Sequence, residues 1–120
     1  MNEWVLYYNP KCGTCRRVKD KMEAHKLKPK IVEYLKTPLT VEELEGILKK
    51  LGVGPTEITR MKEPVIKEKK VDFDSLSLKA WLKLIVDNPT LLERPIVVYG
   101  ERAVIARPPE RIDLFLDHYA

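Results

Sequence analysis

Both cysteines of this chain, Cys12 and Cys15, lie where an apolar run, Trp4-Val5-Leu6-Tyr7-Tyr8, gives way to a segment that can form a helix, Arg16 to His25. No other feature constrains the fold as strongly. The junction asks for a strand handing over to a helix through one turn, Asn9-Pro10-Lys11, with a thiol at the helix N-terminus. A Cys-x-x-Cys at such a turn reads as reactive thiol chemistry. The free amides of the first turn and the helix dipole favour a thiolate at Cys12. Lys11, Arg16 and Arg17 add positive potential.

Magnitudes limit what thiol activation achieves. A thiol with pKa near 8.5 is about 3% ionised at pH 7. Lowering its pKa by about two units raises the thiolate roughly 25-fold, but nucleophilicity falls about 8-fold for a Brønsted slope near 0.45. The net gain is about 3-fold, so something must also hold the electrophile. Cys15 can share the first helical turn with Cys12. It reads either as a resolving thiol for a Cys12–Cys15 disulfide or as a small buried residue.

The remaining pattern supplies the rest of a fold. Strands are predicted over about residues 3 to 8 and 31 to 35, flanking a helix from about 13 to 25. Thr40-Val41-Glu42-Glu43 is a capping box, and Val41, Leu44, Ile47, Leu48 and Leu51 follow on one face, with Gly52 as C-terminal cap. Residues 56 to 61 read as a short helix, and 64 to 74 give no clear period. Ser77 caps a helix carrying Leu78, Trp81, Leu82 and Ile85, which Asn88-Pro89 stops. Ile96–Tyr99 and Arg102–Ala106 read as a hairpin about Gly100-Glu101. Pro108-Pro109 opens a last helix with Ile112, Phe115, Leu116 and Tyr119 on one face. The order βαβ, helices, ββα, with a Cys at the first strand-to-helix turn, is that of a thioredoxin-like α/β fold with a mixed four-stranded sheet. One domain over residues 1–120 is expected, with a helical insertion at about 36–90.

Charge and composition exclude several classes. With 22 Lys plus Arg against 18 Asp plus Glu, the net charge is +4, a mild excess spread along the chain. No basic run is interleaved with aromatics, so direct nucleic-acid binding is not expected. No apolar run approaches the roughly 20 residues of a membrane helix, and the N-terminus lacks a signal-peptide pattern. Two cysteines are too few for a disulfide scaffold. The expected location is the cytoplasm. His25 and His118 lie far from the cysteines, and no ligand spacing suggests zinc.

Asn9-Pro10-Lys11-Cys12-Gly13-Thr14-Cys15-Arg16 and Arg94-Pro95-Ile96-Val97-Val98, together with Tyr34-Leu35-Lys36-Thr37-Pro38 and Arg107-Pro108, resemble the glutaredoxin-linked arsenate reductase family. Spx regulators of RNA polymerase belong to the same superfamily. The resemblance runs nearly end to end. It implies Cys12 as nucleophile, Arg60, Arg94 and Arg107 as the oxyanion ligands, and Pro95 as a cis-proline facing the nucleophile. Guanidinium forks suit a tetrahedral oxyanion and stay charged, and they would stabilise charge on its oxygens during attack. The implied route is attack of the Cys12 thiolate on As(V), then glutathione, then glutaredoxin, with release of arsenite. No bound cofactor is implied, and glutathione is a cosubstrate.

Two positions depart from that family. Many of its members have serine at the position of Cys15 and histidine at that of Tyr8. Cys15 opens a route in which thioredoxin recycles an internal disulfide, and Tyr8 either packs or reaches toward Cys12. Two other functions compete with arsenate reduction. One is an Spx-like redox-responsive regulator docking on the RNA polymerase α subunit. The other is a general thiol–disulfide oxidoreductase.

Overall fold

The computed structural model describes residues 3–120. Strand β1 (Trp4–Tyr7) leads into helix α1 (Gly13–Ala24), and β2 (Lys30–Val32) returns parallel to β1. Helices α2 (Val41–Leu51), α3 (Pro64–Glu68) and α4 (Leu78–Asp87) fill the stretch before the hairpin of β3 (Ile96–Tyr99) and β4 (Arg102–Ile105). Helix α5 (Arg111–Tyr119) ends the chain. The sheet order is β2-β1-β3-β4, with β1/β3 and β3/β4 antiparallel.

The central strands β1 and β3 are apolar on both faces because helices cover both, while the edge strands β2 and β4 each begin on an exposed cation, Lys30 and Arg102. Leu6 and Val97 point into a core with Val18 and Met22 of α1 and Ile112 and Leu116 of α5. Their neighbours Val5, Tyr7, Ile96 and Val98 point the other way, toward Leu44, Ile47 and Leu48 of α2 and Leu82 and Ile85 of α4. This is the two-residue period of a strand seen from both sides.

Local signals act where they stand in the sequence. The Thr40 hydroxyl accepts the Glu43 amide at 3.1 Å while Glu43 accepts the Thr40 amide at 3.3 Å. Gly52 takes φ +70° beyond the end of α2, where a side chain would be strained. Gly100 takes φ +59° in the hairpin turn. The second strand is shorter than its predicted 31–35, because the amides of Lys36 and Thr37 both turn back onto the Glu33 carbonyl at 2.9 Å. Residues 56–61, read as a helix, give only a single 3₁₀ turn, Pro55–Ile58, before the chain extends. The last helix starts at Arg111, later than predicted, since the carbonyls of Pro108 and Pro109 accept its first amides. Leu78, assigned to the apolar face of α4, is 47% exposed at the helix start. Among the described residues no helix is long and apolar enough to cross a membrane.

Candidate active site

Cys12 occupies the N-cap of α1, with extended backbone (φ −93°, ψ 120°), immediately after the turn that leaves β1. Its amide donates to the Asn9 carbonyl at 3.0 Å, and the Asn9 side chain accepts the Lys11 amide at 3.0 Å. The turn therefore holds the thiol against the start of the helix. Cys12 keeps 8% of its surface exposed, whereas Cys15 keeps none. Both are free thiols.

Arg107 comes from the far end of the sheet, just past β4. Its Nη2 donates to the Cys12 Sγ at 3.2 Å, and its Nε donates to the Arg94 carbonyl at 2.9 Å. Arg94 stands just before β3, at a cis bond to Pro95; Arg107–Pro108 is also cis. The β3–β4 pairing places the two arginines side by side, with Ala106 donating to the Pro95 carbonyl at 2.9 Å.

Burial pushes the Cys12 thiol up, but the Cys15 amide and thiol, Arg94 and Arg107 together outweigh it and bring it down to about 7. Lys11, Arg16 and Arg17, expected from sequence to supply positive potential, are exposed, and the acting charges are Arg94 and Arg107. Lowering the thiol from about 8.5 to about 7 raises the thiolate at pH 7 roughly 16-fold. Lost nucleophilicity takes back about 5-fold, leaving a net gain near 3-fold. Activation remains a small factor, and placement of the electrophile is where a larger one must arise.

Burial pushes Cys15 up to about 12, reinforced by the neighbouring Cys12 charge. It therefore stays protonated at neutral pH and supports its partner as a hydrogen-bond donor. Burial pushes the Arg94 guanidinium down, yet the Cys12 sulfur, Tyr34 and Cys15 more than offset this, so it is held charged. Among the described residues the Nε of Arg94 is buried without a hydrogen-bond partner.

Arg60 arrives by a different route. An isolated antiparallel bridge joins Thr59 to Leu92. Around it the Arg60 amide donates to the Leu91 carbonyl and the Glu93 amide to the Ile58 carbonyl, both at 2.7 Å. Buried Thr59 anchors this pairing, accepting from Trp81 Nε1 at 2.8 Å and donating to the Pro55 carbonyl at 2.7 Å. Arg60 then donates from Nη1 to Glu93 Oε1 at 2.9 Å, and the same oxygen lies 3.4 Å from Arg107 Nε. Arg60, Lys62, Glu63, Glu93 and Arg107 line an open cleft of about 420 Å³. Arg107 is common to the cleft and to the thiol. Arg60 reaches the cleft and does not touch Cys12.

Sequence reading passed over two residues here. Glu93 joins Arg60 and Arg107, and its only sequence signal is a carboxylate preceding Arg94. Tyr34 falls in the strand predicted over 31 to 35, but it is a buried turn residue whose hydroxyl has no hydrogen-bond partner among the described residues. Burial pushes its phenol up to about 12 against the pull of nearby Arg94. Tyr8 packs beside Cys12, Cys15 and Val18 in the core under α1, with the Lys19 ammonium 5.8 Å from its ring centre.

A thiolate at the first strand-to-helix turn, facing arginines carried by the hairpin, defines a thioredoxin-like thiol protein with a cationic site. The ArsC family model matches residues 7–115, and the chain belongs to that family. An arsenate reductase of Neisseria meningitidis is 36% identical over 117 residues, covering 97% of this chain and 100% of that protein. A solved structure of an arsenate reductase from Vibrio cholerae superimposes with a TM-score of 0.89 at 34% identity, over 94% of this chain and 97% of that one. The global transcriptional regulator Spx of Listeria innocua is 32% identical over 112 residues, 93% of this chain and 86% of the regulator.

Proposed function

We propose that this chain reduces arsenate to arsenite through Cys12. Arg94 and Arg107, with Arg60 on the cleft wall, bind the oxyanion. The observation that carries this reading is the Arg107 guanidinium on the Cys12 sulfur, with Arg94 beside it, held charged and with one buried N–H unpartnered among the described residues. An oxyanion bound by those forks lies next to the sulfur, which meets the positioning requirement that thiol activation leaves unmet. In the first step the Cys12 thiolate bonds to As(V), and an arsenic-bound oxygen leaves as water after protonation. Two thiols then supply the two electrons. Arsenate and two thiols give arsenite, one disulfide and water, with As(V) reduced to As(III) and sulfur oxidised.

Two donors can supply the second thiol. Cys15 is fully buried and pushed up to about 12, so it is a poor nucleophile where it stands. That favours an external thiol, glutathione with glutaredoxin, over an internal Cys12–Cys15 disulfide recycled by thioredoxin. The assay is arsenate-dependent thiol consumption, run separately with each donor system and with Cys12→Ser as control. Turnover with glutathione and glutaredoxin that vanishes in Cys12→Ser is expected. No arsenate-dependent turnover with either system would refute the reading.

The likeness to Spx supports a second reading, a redox-responsive regulator that binds the RNA polymerase α subunit through a surface switched by Cys12 and Cys15. Retention of that subunit on the immobilised, reduced chain, lost on oxidation, would favour it.

A further inference from the structure

One carboxylate organises the arginines of this site. Glu93 Oε1 accepts from Arg60 Nη1 at 2.9 Å and from the Arg94 amide at 3.2 Å, and it lies 3.4 Å from Arg107 Nε. The Arg94 carbonyl accepts from that same Arg107 Nε at 2.9 Å. The Arg107 Nε thus has the Arg94 carbonyl as its hydrogen-bond acceptor and Glu93 as its ion-pair partner, and the same Glu93 oxygen holds the Arg94 backbone through its amide. The far end of the same guanidinium rests on the Cys12 sulfur. Without a carboxylate between them, Arg60 and Arg107 would carry like charges along one cleft wall and repel.

We propose that Glu93 is a positioning residue that pins Arg107 onto Cys12 and aligns Arg60 beside it, so that the guanidinium donors converge where an anion meets the thiolate. The part of this that concerns anions rests on the oxyanion reading above. The part that concerns the thiol does not.

The sign of one measurement separates this role from plain electrostatics. A carboxylate near a thiol disfavours the thiolate, so its removal by charge alone lowers the thiol pKa. Loss of a residue that holds a guanidinium on the sulfur raises it. The experiment is an ultraviolet thiolate titration of Cys12 in the intact chain, for wild type, Glu93→Ala, Glu93→Gln, Arg107→Ala and the Glu93→Ala/Arg107→Ala double variant. Glu93→Ala is expected to raise the midpoint by about half a unit, which lowers the thiolate near pH 7 roughly 2-fold. Glu93→Gln keeps an acceptor oxygen of the same reach and should recover most of the shift. In the Arg107→Ala background, removing Glu93 should no longer raise the midpoint.

A midpoint that falls or stays put in Glu93→Ala overturns the proposal, as does an equal rise with and without Arg107. Because Glu93→Gln and the double variant are compared within one titration, a folding defect in Glu93→Ala alone does not decide the result. A parallel arm follows protection of Cys12 from alkylation by arsenate or phosphate, expected to weaken several-fold in Glu93→Ala. If wild type shows no protection, the oxyanion reading fails while the titration still decides the positioning role.

Discussion

Arg107→Ala separates thiol activation from oxyanion capture, because on the proposed reading this side chain serves both. Its guanidinium sits 3.2 Å from the Cys12 sulfur, and its side chain is 36% exposed. With that exposure the water-like limit of screening applies: charges about 4 Å apart then interact by about 1 kcal/mol. This amounts to about 0.8 pKa units. The Cys12 midpoint should rise from about 7 to nearly 8, and the thiolate at pH 7 should fall between 3- and 4-fold, by the same conversion of roughly 0.8 units. The more basic thiolate regains about 2-fold in nucleophilicity. Alkylation by iodoacetamide at pH 7 should therefore slow by less than about 2-fold. Arsenate loses a charge-assisted donor worth about 1.5–3 kcal/mol, which lowers kcat/KM by roughly 10- to 150-fold. The assay compares the alkylation rate with arsenate-dependent kcat/KM on the same preparation. Two results would refute the reasoning: kcat/KM within about 3-fold of wild type, or alkylation falling in step with it.

Other consequences follow from the two thiols. Alkylation of Cys12 should rise between about pH 6 and 8 and level off, with a midpoint near 7, while Cys15, fully buried, stays unmodified in the folded chain; mass spectrometry after a pH series checks both. Cys15→Ser should keep glutathione- and glutaredoxin-supported turnover within a few-fold and abolish any turnover supported by thioredoxin alone. Cys15 is pushed up to about 12 in the fold, so its neutral form contributes stability that is complete below the unfolded pKa of about 8.5. That contribution is lost as pH rises toward the folded value, because the unfolded chain ionises first. Thermal denaturation should show the melting temperature of wild type falling more steeply than that of Cys15→Ser between about pH 9 and 11.

The sequence alone determined the features that depend on near neighbours. The order of the four strands and of helices α1, α2, α4 and α5 follows from apolar periodicity, whereas the short helix α3 lies in a stretch without a clear period. The Thr40 cap, the Gly52 stop and the Gly100 turn follow from side chains acting within a few residues. The thiol at the N-cap of α1 follows from Cys12 sitting between a strand and a helix, and the resemblance supplied the arginines. Tertiary structure alone decided which charges act on that thiol. Lys11, Arg16 and Arg17 are close in sequence but point to solvent, whereas Arg94 and Arg107 reach it from some 80 to 95 positions away through the β3–β4 pairing. The route of Arg60 was equally hidden, since the 58–60 strip extends only by pairing with 91–93. Glu93 could not be weighed from sequence, because a carboxylate beside an arginine gives no sign of the two further arginines folded against it. Local preference is encoded over a turn or two of chain, whereas a charge acts across space and goes wherever long-range packing brings it.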